Sequence, residues 1–322
     1  MGNHSGFRVA DRTIHSPLIL APMDGLTDYP LREIIKDFHP GIIYSEFINA
    51  IDFKNNHPHL EKIVKFSEDQ RPFTYQIFDN SPDRILETAL WLERFEPDFI
   101  DINLGCSART IANRGAGAGL LKEPKIIKEI FFTLSRKLSI PVTAKMRLGW
   151  DENSLNYLEI AATLEEAGCQ MIAVHARTKK QGYLGLPDWQ AVAEIKKHAS
   201  IPILANGNIE TSNDIQKVKK ITGCDGFMIG RGAIRNPWIF RGKALDQVHF
   251  EDRVQLIRNH IFLMADFYGK EQGLKLFRKY IKYYIRVENL EKEDRQNVYN
   301  IHEPIPLSEK IAEILFHQIH GN

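Results

Sequence analysis

Eight short apolar runs, each followed by a stretch of helical character, constrain the fold of this chain more than any other feature. They are Leu18–Pro22, Gly41–Phe47, Phe73–Phe78, Phe99–Leu104, Val142–Arg147, Met171–His175, Ile203–Asn206 and Gly226–Gly230. Most are rich in β-branched or aromatic residues and bounded by Pro, Gly or Asp, as buried parallel strands are. Pro82–Glu96, Pro124–Leu138, Ser154–Ala167, Trp189–His198 and Ser212–Ile221 lie between them and read as helices. Pro82 and Pro124 stand in first-turn positions, where a missing N–H costs nothing. Eightfold strand–helix alternation predicts an α/β fold, a (β/α)8 TIM barrel, which takes roughly 250 residues. An open doubly wound sheet would want a glycine-rich loop after its first strand. That strand instead runs into APMDGLTD.

Past Asn236–Gly242 the strand-like runs stop. Glu251–Tyr268, Gly273–Val287, Asp294–Tyr299 and Leu307–Gln318 read as helices. The 322 residues are therefore expected to divide into a barrel, residues 1–243, and a small C-terminal helical domain, residues 244–322. A formal net charge of +1 excludes a polycation, so any nucleic-acid site must be a local patch. The three cysteines form no CxxC pair or short cluster with His, which argues against disulfides and a bound metal. The N-terminus lacks the apolar core of a secretory leader, and Gly6 stands where a Gly2 lipidation motif wants Ser or Thr. No apolar run is long enough to span a bilayer. The expectation is a reduced, cytoplasmic, soluble protein with no membrane association and no obligate protein partner.

The active site of such a barrel lies at the C-terminal strand ends. Polar residues gather there: Asp24, Gln76, Asn103 and Cys106, Lys145 and Arg147, His175 and Arg177, Asn206 to Asn208, and Gly230-Arg231. Gly207 and Gly230 would let backbone amides approach a ligand, and the loops after strands seven and eight are the usual phosphate site. Arg231 can add a charge-assisted contact. Ordinary turns are the competing reading of either glycine alone. Alternation along Val142–Arg147 sets Lys145 and Arg147 on one face, which is expected to be the interior; an outward Lys145 snorkelling between helices is the alternative. Cys169 and Cys224 precede strands and read as small buried residues. Cys106 lies past a strand end, before the Gly/Ala-rich SARTIANRGAGAGLL, which suggests a mobile lid over a proton-donating or nucleophilic thiol.

These residues, in this order, resemble the dihydrouridine synthase family. The matching blocks are Leu20–Arg32, Asp101–Ser107, the lysine of AKMRLGW, His175–Tyr183, Ala205–Ile209 and Met228–Phe240. The resemblance implies FMN across the barrel mouth. Pro22, Met23 and Asp24 would line it with backbone groups, and Gln76 and Lys145 would meet its polar ring edge. His175, Asn206, Gly207, Asn208, Gly230 and Arg231 would hold the ribityl chain and phosphate. NADPH would reduce the flavin. A uridine flipped out of tRNA would receive hydride at C6 from the flavin and a proton at C5 from Cys106. Asn103 would hydrogen-bond the uracil, and Arg177 the base or a nearby phosphate. Two departures stand out: Ser107 replaces the proline usual after the cysteine, and Asp24 replaces the Ala or Gly frequent in that motif.

Phe277–Tyr284 resembles the basic, aromatic helix of the family's tRNA-binding domain. Lys270, Lys275, Arg278, Lys279, Lys282 and Arg286 face one acid there, Glu271, with Phe277, Tyr280, Tyr283 and Tyr284 interleaved. Such a helix suits a phosphate backbone, with Arg278 and Lys279 among its contacts; a solvated amphipathic helix is the alternative. Arg109, Arg114, Lys179 and Lys180 could extend the patch. Two other functions fit the barrel: an FMN-dependent oxidoreductase acting on a small molecule, like dihydroorotate dehydrogenase, or a non-enzymatic RNA-binding module. The first needs no basic helical appendage, and the second no Cys106.

Overall fold

The computed structural model describes residues 6–320. The reading of Gly2 lies outside them. The described residues form ten strands: β1 Phe7–Val9, β2 Arg12–Ile14, β3 Leu18–Leu20, β4 Ile43–Asn49, β5 Phe73–Phe78, β6 Phe99–Leu104, β7 Val142–Arg147, β8 Ile172–His175, β9 Ile203–Asn206 and β10 Gly226–Ile229. Strands β3 to β10 form a closed parallel barrel, sealed where Phe227, Met228 and Ile229 of β10 pair with Leu18, Ile19 and Leu20 of β3. Around it run α1 Tyr29–Lys36, α2 Ala50–Lys54, α3 Leu60–Ile63, α4 Pro82–Glu93, α5 Arg109–Asn113, α6 Pro124–Lys137, α7 Tyr157–Glu166, α8 Trp189–His198, α9 Ser212–Thr222 and α10 Arg231–Arg235. The fold is the (β/α)8 barrel that the alternation predicts.

Local chemistry starts and stops these helices. Asp28 accepts the Leu31 N–H ahead of Pro30, and Ser81 accepts the Arg84 N–H ahead of Pro82. Thr211 and Asp214 form a reciprocal capping box on α9, which ends at Gly223 in the left-handed conformation.

The period of two along each strand decides what fills the barrel. At the N-terminal end the inward residues are apolar: Ile19, Tyr44, Phe99, Met171, Leu204 and Met228 pack together. The antiparallel hairpin β1–β2, which the sequence did not signal, plugs this end by adding Val9 and Ile14 to that cluster. Further along β6 to β9 polar residues enter at successive levels: Asp101 beside Thr143, then Asn103 beside Lys145, then His175 beside Asn206. The interior thus turns from apolar to polar stepwise toward the mouth. One register shift, between Tyr44 and Phe47 in β4, breaks the regularity beside Glu46.

A tight turn, Pro237–Arg241, leads from the barrel to α11 Phe250–Tyr268, α12 Lys270–Tyr284, α13 Lys292–Asn300 and α14 Pro304–His320. These helices are clamped onto the loop between β3 and α1. Tyr280 Oη donates to the Leu26 carbonyl at 2.6 Å, and the Phe267 ring stacks on Tyr29 at 5.0 Å. The Tyr284 hydroxyl meets the buried His260 ring at 2.7 Å. The aromatics interleaved along α12 are therefore mostly core: Phe277, Tyr280 and Tyr284 are buried, and Tyr283 alone is partly open. No helix is long and apolar enough to cross a membrane, and no group of three potential metal ligands occurs among the described residues.

Candidate active site

The strand ends converge on two adjoining cavities of about 100 and 370 Å³ that share Pro22, Met23, Lys145, His175, Tyr183 and Arg231 as walls. Together they fall within the range of roughly 300–1,000 Å³ usual for cofactor sites. The smaller lobe adds Asn206, Gly207, Asn208 and Gly230; the larger adds Asp24, Gln76, Asn103, Cys106 and Arg147. Thus every cofactor-contact residue expected from sequence lies on one mouth, together with Cys106.

A hydrogen-bonded ladder rises from the barrel interior to Cys106. Asp101 is fully buried, and burial pushes its carboxyl up to about 6, while the hydrogen bonds from Thr143 and Gln76 and the charge of Lys145 favour its ionised form. Its oxygens accept from Thr143 Oγ1 at 2.6 Å and Gln76 Nε2 at 2.7 Å. A carboxylate can only accept, so it dictates which way the Gln76 amide faces. Gln76 Oε1 then accepts from Asn103 Nδ2 at 2.8 Å, and Asn103 Oδ1 accepts from the amides of Gly105 at 3.0 Å and Cys106 at 2.8 Å. Each amide nitrogen keeps one N–H beyond its ladder bond. Gln76 and Asn103, which line the larger lobe, can therefore offer donors to a carbonyl-bearing ligand.

Electrostatically the mouth is cationic. Burial and the neighbouring Arg147 lower the Lys145 ammonium to about 8, against a partial offset from Asp101. The Lys145 side chain lines both cavities, where its ammonium can meet an electron-rich group of a ligand. Burial, then Lys145, Arg147, Arg177 and Arg231, hold His175 far below its ordinary range, and its ring is neutral. Gly207 has φ +127°, and a Cβ there would lie 3.1 Å from His175 Cδ2. At Gly230 a Cβ would come within 3.3 Å of Met23 Sδ. A side chain at Gly207 would be strained as well as crowded, and one at Gly230 would press on Met23, so at both positions backbone faces the ligand. This donor-rich, cationic cradle with glycine walls fits a flavin phosphate.

Cys106 is half-buried, and burial, with Asp24 nearby, raises its thiol above the ordinary range against the pull of the Ala108 amide, Arg147 and Lys145. The proton therefore stays on sulfur at neutral pH, as a general acid requires. The glycines beyond it do not make a lid. Ala116 to Leu121 are buried, Ala118 N–H donates to the Cys106 carbonyl at 3.1 Å, and a Cβ on Gly117 would lie 2.9 Å from Cys106 Cβ. They are there for close packing.

Arg177 is placed differently from the expectation. It is fully buried and lines neither lobe; its guanidinium donates to the carbonyls of Leu184 at 3.1 Å and Gly185 at 2.6 Å and to Asn208 Oδ1 at 3.3 Å. Arg147 braces from beside it, donating to the carbonyls of Gly105, Thr178 and Gly182. Arg278 and Lys279 do not form an open basic face either. Arg278 Nη2 lies 3.4 Å from His302 Nδ1, and Lys279 Nζ turns back to within 3.9 Å of the buried Asp28. Arg114 bonds Asn49 Oδ1 and lies over the Phe78 ring. Exposed cations near the mouth are instead Arg231, Arg235 and Lys282, with Lys282 Nζ 5.3 Å from the Tyr283 ring centroid. Sequence reasoning also missed Asp101 and Tyr183. The alternation Phe99, Asp101, Asn103 marks the first as inward, whereas nothing local marks the second.

A family model described as dihydrouridine synthase (Dus) matches residues 19–317. The tRNA-dihydrouridine synthase B of Pseudomonas syringae pv. tomato is 33% identical over 290 residues, 87% of this chain and 86% of that protein. A probable tRNA-dihydrouridine synthase of Rickettsia prowazekii is 31% identical over 325 residues, 98% and 99% of the two chains. Among solved structures, a 2-naphthoyl-CoA reductase in complex with 2-naphthoyl-CoA aligns with TM-score 0.56 at 13% identity, covering 74% of this chain and 51% of that one. That last likeness concerns the fold alone.

Proposed function

The chain belongs to the dihydrouridine synthase family, and on that premise we propose that it reduces uridines in tRNA to 5,6-dihydrouridine with FMN as cofactor and NADPH as electron donor. The observation that carries the reading is the Cys106 thiol, held protonated on the wall of the same mouth as Lys145, Gln76 and Asn103. Bound FMN would supply the hydride chemistry. Lys145 would meet the flavin ring edge, while the Gly207, Asn208, Gly230 and Arg231 wall of the smaller lobe would hold the phosphate. The second N–H of Asn103 would donate to a uracil carbonyl, and Cys106 would deliver its proton to uracil C5. Neutral His175 would add a hydrogen bond without bringing another charge into the cationic mouth.

The helices from Phe250 onward would bind the tRNA, working as a unit with the barrel rim. Burial raises the Tyr283 hydroxyl of α12, with Arg231 and Arg235 pulling against it, and this would make helix and rim one basic, aromatic surface. A small-molecule oxidoreductase has no use for such a surface.

Cys106→Ala tests the chemistry. The variant should keep FMN and its reduction by NADPH, and lose dihydrouridine formation on tRNA. Dihydrouridine produced at an undiminished rate would remove Cys106 from its role. Mapping dihydrouridine in tRNA from cells lacking the protein would then locate the target.

A further inference from the structure

Beside the mouth, a short loop after β8 presents large apolar side chains to solvent. Tyr183 is 63% exposed, Leu184 79% and Leu186 85%. Exposed loop residues usually belong to a backbone free to move, but this backbone is fixed. Buried Arg177 takes the Leu184 and Gly185 carbonyls, and Arg147 takes that of Gly182. Within the loop, the Thr178 N–H donates to Gln181 Oε1 at 2.7 Å and the Leu184 N–H to the Gln181 carbonyl at 2.9 Å. Gly182 and Gly185 have φ +60° and +68°, which folds the tip into its tight shape. Two buried guanidiniums thus hold an apolar tip rigid and outward. Such a tip has already met the ordering cost of binding and lacks only a partner.

Its surroundings identify the partner's chemistry. The Arg231 guanidinium lies 4.4 Å from the Tyr183 ring centroid, and Lys179 and Lys180 precede the tip in sequence. A protein-binding core is normally depleted of charge. An apolar knob with a guanidinium at its base instead complements a nucleic-acid strand, whose base faces are apolar and whose phosphates flank them. Proteins that open a base stack drive Leu, Ile, Phe or Met into the step. Extruding a uridine leaves such a gap beside the mouth.

We propose that Leu184 and Leu186 are a rigid wedge that enters the tRNA stack next to the extruded uridine, holding the gap open while Tyr183 borders the mouth. The proposal rests on tRNA being the substrate. Asn208 and the two arginines act on it only indirectly, by positioning the loop.

The test compares the full-length flavin-loaded enzyme with its Leu184→Ser/Leu186→Ser variant. Both side chains are exposed, so folding and NADPH-driven flavin reduction should be unchanged. The Kd for tRNA should rise about tenfold. The slope of log Kd against log salt should stay the same, because no charge is removed. Affinity for a short uridine-containing single strand, which has no stack to enter, should change less than twofold. A Leu184→Met/Leu186→Met variant should bind tRNA like the parent. Three results would overturn the wedge: tRNA affinity within twofold of the parent, equal losses on tRNA and single strand, or a loss of self-association on sedimentation with tRNA binding unchanged. The last would make the tip an interface between copies of the chain. If the parent binds tRNA in this leucine-dependent way but makes no dihydrouridine, the wedge stands and the catalytic reading falls.

Discussion

A single backbone angle decides one wall of the mouth. Gly207 sits at φ +127°, outside the range L side chains adopt readily, and its absent Cβ leaves room for His175. Gly207→Ala should cost roughly 1–3 kcal/mol of stability through strain. It should also displace the His175 ring and lower the flavin carried by the purified protein. Thermal unfolding and the flavin-to-protein absorbance ratio report the two effects; parental values for both would mean the wall tolerates a side chain. At the same scale Asp101 works without touching any ligand. Its carboxylate sets the amide of Gln76, which sets that of Asn103, which pins the Cys106 N–H. One anion thereby gives a whole row of neutral groups its polarity.

Helix α12 shows how an element can be read correctly and its faces wrongly. Its existence and basic character are plain in the sequence, yet Phe277, Tyr280 and Tyr284 go inward because they close the joint with α11 and the β3–α1 loop. The cations divide accordingly. Lys279 faces Asp28, whereas Lys282 remains exposed. Lys279→Ala should lower stability by roughly 1–3 kcal/mol, allowing for its partial exposure, while scarcely altering the salt dependence of tRNA binding. Lys282→Ala should do the opposite: unchanged melting, and a log Kd against log salt slope reduced by about one. Titrations at several salt concentrations distinguish the assignments, and an exchange of the two phenotypes would reverse them.

The joint between barrel and helices is also where the molecule should respond to pH. Beside the β4 register shift, Glu46 is pushed up to about 7 by burial and by Asp28 and Asp24, against the pull of Lys279 and Arg32. The folded protein therefore holds this proton more tightly than the unfolded chain, whose value is near 4.5. Stability from this group is greatest below the unfolded value and is lost as pH rises through about 7, by at most about 3 kcal/mol. Glu46→Gln cannot ionise, so it should remove that slope and stabilise the protein at pH values above the transition. Urea midpoints on either side of it measure the effect; parallel profiles for parent and variant would place the titrating group elsewhere.

Composition and order of residues were enough to set the barrel, because strands buried on both faces must be continuously apolar and helices that cover them must be amphipathic. They were also enough to bring Cys106, Lys145, His175 and the two glycine corners to one rim, since that rim follows from topology. The hairpin plug was illegible because its strands, FRV and RTI, are short and interrupted by polar residues, so they form no apolar run. The inward turn of Arg177, the packed state of the glycine run after Cys106 and the loss of Lys279 to an acidic joint depended on neighbours far away in sequence. A charged or small side chain is compatible with several surroundings, and only the packed structure selects among them.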